Sequence, residues 1–250
     1  MEPSSGGGKR VAFFGGSFDP PHWGHLAVAR AARAALELDT VLFAPVGAQP
    51  LKPQGATAGF EDRVAMTRLA ISGEPGFEVS LVDAPGAPAA PNYTLDTLLR
   101  LRAGLRPEDT LFCLMGADSF LTLRHWHRAA EIPFTASLIV ASRPGQALDN
   151  LKAALPAGLT MEPAEPETRA GDESSEFASG SASGVLVYAV HGASGEAGRL
   201  YLLPNLQAGV SATGVRSRIQ HAAADSEPEL ERIPRAVLDY IHEQGLYRGA

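Results

Sequence analysis

Val11-Ala12-Phe13-Phe14-Gly15-Gly16-Ser17-Phe18-Asp19-Pro20-Pro21-His22-Trp23-Gly24-His25-Leu26 is the stretch that decides the fold. Its apolar start reads as a buried strand and its two glycines as a turn. Its end opens an Ala-rich helix that runs to Leu36. Pro20 and Pro21 keep the preceding chain out of helix, so the helix begins near Trp23 or Gly24. Gly15 and Gly16 let the backbone approach a ligand closely. A helix N-terminus offers unpaired N–H groups and a partial positive charge, which favour phosphate. His22 and His25 stand at that spot and can add donors to the same anion. Two plainer readings are an ordinary strand-to-helix turn capped by histidines and a zinc site. Zinc needs one or two further ligands, and the one cysteine, Cys113, is distant in the sequence.

Outward from this stretch, short apolar runs alternate with helical patterns. Candidate strands are Val11–Phe14, Thr40–Ala44, Phe77–Leu81, Leu111–Met115, Ser137–Ala141 and Arg199–Leu203. Candidate helices are Gly24–Leu36, Phe60–Ser72, Thr94–Ala103 and a short one near Ala117–Leu123. The rhythm predicts an α/β fold, a Rossmann-like doubly wound and mainly parallel sheet with helices on both faces. Ligands in such sheets sit beyond the carboxyl ends of the strands, where strand order reverses. The C-terminal stretch reads as two helices, with Leu230, Ile233, Val237 and Ile241 on one face, forming a small appendage. The whole chain is expected to be one domain. Residues 1–9 read as a flexible polar tail, and 163–184 as a flexible surface insertion, acidic and then Ser/Gly-rich. The apolar run Val185–Val190 after it reads as one additional strand.

Composition narrows the partners. A net charge of −7 argues against broad binding to nucleic acid or an anionic membrane, since both use a basic surface. A hydrophobic content of 45% is enough to build a full core. One cysteine allows no disulfide within the chain, which suits a reducing cytoplasm. No run approaches the ~20 apolar residues of a membrane span, and the N-terminus lacks the apolar core of a signal peptide.

Several other segments carry chemistry. Asp118, after Leu111–Gly116, is a carboxylate at a strand's carboxyl end. It can hold a ribose hydroxyl, orient water on Mg²⁺, or simply cap the next helix. Tyr93-Thr94 opens a helix, with Thr94 suited to its first turn. Trp126 offers a flat stacking surface or a core residue. In Ser211-Ala212-Thr213-Gly214-Val215-Arg216, hydroxyls and an Arg at a helix start form a second anion site. Lys52, in the loop after the second strand, is a phosphate ligand or a solvated loop lysine.

Gly15–Leu26 resembles the GGxFDPxHxGH signature of the paired-histidine nucleotidyltransferases, and the chain is similar within that group to the bacterial nicotinate-nucleotide adenylyltransferases. Pro45–Pro53 resembles the family's P-x-G-x-x-P-H-K loop, with Leu51 where histidine is usual. Asn92–Leu98 resembles S-Y-T-x-x-T-L, with Asn92 for the serine. Met115–Phe120 is similar to I-G-x-D-S-L, and Val210–Arg216 to I-S-[SA]-T-x-[IV]-R. Tyr240–Tyr247 is similar to a C-terminal Y-I-x-x-x-x-L-Y, a structural ending. The match spans 11–143 and 203–248; residues 151–198 match poorly.

The resemblance implies adenylyl transfer from ATP to nicotinate mononucleotide in NAD biosynthesis. His22, His25, Arg216 and Lys52 would act on the phosphates, with His25 nearest the reacting phosphorus. Gly15, Gly16, Ser17, Phe18, Gly24, Asp118, Ser211 and Thr213 would hold ATP. Tyr93, Thr94, Trp126 and Gly47 would line the pyridine mononucleotide pocket. The family usually has Tyr after that Trp, where this chain has His127. Mg²⁺ would ride on the ATP phosphates and water, because the sequence presents no cluster of carboxylates. Homo-oligomerisation stays open. Three rival readings remain: the same chemistry on nicotinamide mononucleotide or phosphopantetheine, a nucleotide-binding regulator without turnover, and a dinucleotide oxidoreductase. The last is disfavoured, because no G-x-G-x-x-G follows the first strand.

Overall fold

In the computed structural model the described residues are 7–50, 55–86, 90–142, 148–165, 184–206, 210–221 and 232–248. Among them eight strands form one sheet: β1 Arg10–Gly16, β2 Thr40–Pro45, β3 Phe77–Val79, β4 Thr110–Gly116, β5 Ser137–Ala141, β6 Thr160–Pro163, β7 Leu186–His191 and β8 Ala197–Leu203. Their order across the sheet is β3-β2-β1-β4-β5-β8-β7-β6. β3, β2, β1, β4, β5 and β8 run parallel, and β7 and β6 extend the sheet antiparallel to their neighbours. Among the described residues eight α-helices accompany them: α1 Trp23–Ala35, α2 Phe60–Ala70, α3 Thr94–Ala103, α4 Ala117–Phe120, α5 Ile132–Thr135, α6 Leu148–Ala153, α7 Ala212–His221 and α8 Arg235–Glu243.

The central strands are apolar on both faces, as a doubly covered parallel sheet requires. Alternate residues of β4 show this. Phe112 and Leu114 join the core with Leu26, Ala29, Met66, Val237 and Ile241, beneath α1, α2 and α8. Leu111, Cys113 and Met115 join Leu95, Leu98, Phe120 and Ile132 on the other face, beneath α3, α4 and α5. α8 is fixed to α2 by the Tyr240 hydroxyl, which donates to Asp62 Oδ1 at 3.0 Å.

Topology places the site. From β1 the chain moves one way to β2 and β3, then crosses back through α3 to β4 on the other side of β1. Strand order thus reverses at the carboxyl ends of β1 and β4, where such folds open a crevice. The Gly15-Gly16 turn lies at that point.

The structure departs from the sequence reading in places. β3 stops at Val79: Ser80 makes its last bond to β2, N–H to the Phe43 carbonyl, and the chain then turns, with the Ala84 N–H on the Leu81 carbonyl and Leu81 exposed. The run from Val185 does form a strand, β7, but β6 pairs with it as a further strand at the sheet edge. The expected insertion begins inside β6, and residues 166–183 lie outside the described residues, as do 1–6, Lys52 and Leu230. Among the described residues no helix is long and apolar enough to cross a membrane.

Candidate active site

A cleft of about 960 Å³ opens over the carboxyl ends of β1, β4 and β5. Fourteen of the sixteen expected site residues line it. They are Gly15, Gly16, Ser17, Phe18, His22, Gly24, His25, Tyr93, Thr94, Asp118, Trp126, Ser211, Thr213 and Arg216. Lys52 lies outside the described residues. Gly47 is not among the lining residues: its N–H donates to the Asp83 carbonyl at 2.8 Å, and a Cβ there would meet Pro85 N at 2.7 Å. The glycine permits two backbone segments to pack beside the lining residues Val46 and Gln49.

The two histidines are held by the start of α1. His22 is its N-cap, in extended conformation and buried. The rings of His22 and His25 stack with centroids 3.7 Å apart and planes at 21°. His22 N–H donates to His25 Nδ1 at 3.2 Å. Nδ1 is therefore an acceptor, which leaves the proton of the neutral ring on Nε2. The His25 ring also meets Phe18 edge-on at 5.0 Å. Burial, and then the neighbouring His22, push His25 well below the usual imidazole value. His25 is thus a neutral donor at physiological pH. Gly24 lets the His22 ring lie close, since a Cβ there would stand 3.0 Å from it and press on the stack.

Beside the start of α1, α7 begins at Ala212, and a Cβ on Gly24 would lie 3.5 Å from the Val210 carbonyl oxygen. Ser211 Oγ accepts the Gly214 N–H at 3.1 Å, so Ser211 caps the helix. Arg216, one turn in, donates from Nη1 to the Asp19 carbonyl at 2.7 Å and from Nη2 to Thr213 Oγ1 at 3.3 Å. Two of its five N–H donors are thereby committed, and the fork is fixed at the cleft wall.

Asp19 is the residue the sequence reading passed over. Its carboxylate is buried and accepts the N–H of Thr57 at 2.7 Å, the N–H of Ala58 at 3.0 Å and the Tyr247 hydroxyl at 2.7 Å. Arg216 Nη1 lies 3.8 Å from its Oδ2. Arg63, also buried, donates to the Ser17 carbonyl at 2.8 Å. The position of Asp19 just before Pro20, in a run otherwise apolar or histidine, was the available signal.

The far end of the cleft is aromatic. Tyr93 caps α3, and its ring lies 4.3 Å from that of His127. Trp126 Nε1 donates to Thr122 Oγ1 at 3.1 Å, which fixes the indole plane. Asp83, which also lines the cleft, is buried and accepts the Thr97 hydroxyl, and Arg100 lies 3.5 Å away. Burial raises the Asp83 carboxyl despite both partners. Cys113, on the cleft floor, is pushed up to about 12 by burial and then by Asp83, so it remains a thiol. Asn92 bonds Ala48 through both side chain and main chain, at 2.8 and 2.9 Å, which ties the loop after β2 to the start of α3.

A doubly wound sheet carrying two helix N-termini, two stacked imidazoles and a fixed guanidinium at its switch point defines a nucleotide-binding α/β protein. The comparisons agree. The family described as cytidylyltransferase-like matches residues 13–218. A probable nicotinate-nucleotide adenylyltransferase of Roseiflexus sp. is 37% identical over 241 residues, covering 95% of this chain and 98% of the relative. One from Gloeobacter violaceus is 35% identical over 243 residues, covering 96% and 97%. The fold is that of the Plasmodium falciparum nicotinic acid mononucleotide adenylyltransferase complexed with NaAD, with a TM-score of 0.65 at 16% identity over 96% and 97% of the two chains. The chain belongs to the cytidylyltransferase-like family and, within it, to the nicotinate-nucleotide adenylyltransferases.

Proposed function

We propose that the protein transfers the adenylyl group of ATP to nicotinate mononucleotide, giving deamido-NAD and pyrophosphate, as one domain working at this cleft. The observation that carries the reading is that the His22–His25 stack and Arg216, which is bonded to the Asp19 carbonyl just before His22, line one crevice. A phosphate oxygen of the mononucleotide attacks the α-phosphorus of ATP. The new P–O bond forms as the bond to the bridging oxygen of the β-phosphate breaks, and pyrophosphate leaves with that electron pair. The attacking monoester has a second pKa near ~6 and is largely dianionic at neutral pH, so no side chain needs to act as nucleophile. The chain supplies alignment and charge stabilisation. His25, through Nε2–H, and Arg216 donate to the phosphates, and His22 and Lys52 extend the clamp. The turn Gly15–Phe18 and the segment Ser211–Thr213 hold the nucleotide backbone, with Gly24 allowing close approach. Asp118, exposed at the start of α4, takes a ribose hydroxyl.

Mg²⁺ enters with the substrate as MgATP. Among the described residues no group of three or more His, Cys, Asp or Glu side chains is placed to hold a metal. The pyridine ring stacks on Trp126, and Tyr93 and Thr94 line its pocket.

The test is the requirement for an attacking phosphate. Pyrophosphate release from MgATP should need nicotinate mononucleotide, and nicotinate riboside, which lacks the phosphate, should support none. Equal release with the riboside would overturn the mechanism.

A further inference from the structure

We infer that Tyr247, near the carboxyl end of the chain, is a positioning residue for Arg216 and acts through Asp19. The inference rests on the reading of Arg216 as a phosphate ligand. After α8 the chain turns back through Gly245 at φ 63 and Tyr247 itself at φ 61. A non-glycine residue seldom adopts that conformation. It is held here because the ring is buried and its hydroxyl reaches Asp19 Oδ1 at 2.7 Å, with Met66 Sδ 4.0 Å away. Burial, and then the Asp19 carboxylate, raise the hydroxyl far above the usual phenol range, so it stays a donor at any working pH.

The geometry around Asp19 gives the bond a consequence for catalysis. Thr57 N–H occupies Oδ2, and Ala58 N–H with the Tyr247 hydroxyl occupy Oδ1. With its oxygens satisfied, the carboxylate stands off from Arg216 at 3.8 Å, and the main-chain carbonyl of Asp19 takes Nη1 instead, at 2.7 Å. This arrangement leaves the remaining guanidinium donors facing the cleft. Remove the hydroxyl and Oδ1 keeps one N–H. A buried carboxylate short of a donor turns to a cation within reach; Arg63 also feels Asp19 but is held on the Ala58 and Ser17 carbonyls, which leaves Arg216, 3.8 Å away, to respond. The guanidinium would close on Asp19 and withdraw from the phosphates. Tyr247, which does not itself line the cleft, thereby sets the reach of a residue that does.

The experiment is a double-mutant cycle in kcat and KM, run well below the thermal midpoint of each variant. Tyr247→Phe keeps the ring and removes the donor. It is expected to lower kcat about tenfold with KM for MgATP changed no more than about twofold. In the Arg216→Ala background the same substitution should cause no further loss of kcat. Met66→Leu is the structural control: it perturbs packing against the same ring, leaves the donors in place, and should leave kcat unchanged. A wild-type kcat in Tyr247→Phe, the full tenfold loss persisting without Arg216, or an equal loss in Met66→Leu would each overturn the positioning role. Arg216→Ala at wild-type kcat would instead overturn the reading on which it rests.

Discussion

His25 Nδ1 accepts the main-chain N–H of His22 at 3.2 Å while the two imidazole rings stack at 3.7 Å. One contact fixes the tautomer and the other disfavours a second positive charge, so His25 works as a neutral Nε2–H donor. His25→Ala should lower kcat by about 10²–10³, the typical effect of losing one oriented donor, with circular dichroism unchanged. Near-wild-type turnover would contradict the assignment. The sign of the pH dependence follows from the direction of the shift. The folded-state pKa lies below the unfolded one, so the unfolded state binds more protons between the two. Stability is intact above the usual imidazole value of about 6.5 and is lost as pH falls from there through the folded-state value, whereas His25 stays a neutral donor in the folded enzyme until pH approaches that lower value. An NMR titration of His25 with a midpoint at or above the usual imidazole value would contradict this.

Trp126 is anchored by its indole N–H on Thr122 rather than by burial, which suits a ligand-facing ring. Trp126→Ala should raise KM for the pyridine mononucleotide by up to about tenfold, the loss of one aromatic stacking partner, and leave KM for MgATP near its wild-type value. Equal rises in both constants would place the ring elsewhere in the reaction.

Asp19 joins two loops and the carboxyl end of the chain. Asp19→Ala removes the acceptor for two main-chain N–H groups and the Tyr247 hydroxyl, all in or near the core. Orphaned buried donors and a broken buried charge pair cost about 3 kcal/mol or more. For a chain of this size the thermal midpoint should fall by about 6–12 °C. A midpoint unchanged by the substitution would mean the network contributes little.

Asp109 fastens the start of β1 to the end of the α3–β4 connection. The Arg106 side chain, and then the Lys9 N–H, hold its carboxyl well below the usual carboxylate range. A depressed folded-state pKa gives stability that is present above the unfolded value of about 3.9 and lost as pH falls through the folded one. The difference in thermal midpoint between wild type and Asp109→Asn should be largest near neutrality and shrink as pH falls from about 5 toward 2. A difference that grows with acidification would contradict the linkage.

The fold was legible where apolar periodicity is strong. β1, β2, β4 and β5 are continuous buried runs, and α1 and α3 follow capping and proline signals. β6 was not, because Thr160–Pro163 is a largely exposed edge strand with no alternating apolar face. The direction of β7 was also hidden, since an apolar run carries no information on which neighbour it pairs with. In the site, His22, His25 and Arg216 announced themselves by residue type next to a helix start. Asp19 did not: before a proline it reads as a turn residue, and its partners lie 38 to 228 residues away in sequence. The packing of Gly47 against the Asp83–Pro85 backbone was not legible, because a loop glycine looks alike whether it makes room for a ligand or for another chain segment.

The most direct test of adenylyl transfer to nicotinate mononucleotide is product identification. MgATP is supplied with nicotinate mononucleotide, nicotinamide mononucleotide and phosphopantetheine in parallel, pyrophosphate is measured, and each product is identified by mass. The account predicts deamido-NAD as the strongly preferred product. Preferred formation of NAD or dephospho-coenzyme A, or bound ATP with no pyrophosphate from any acceptor, would contradict it.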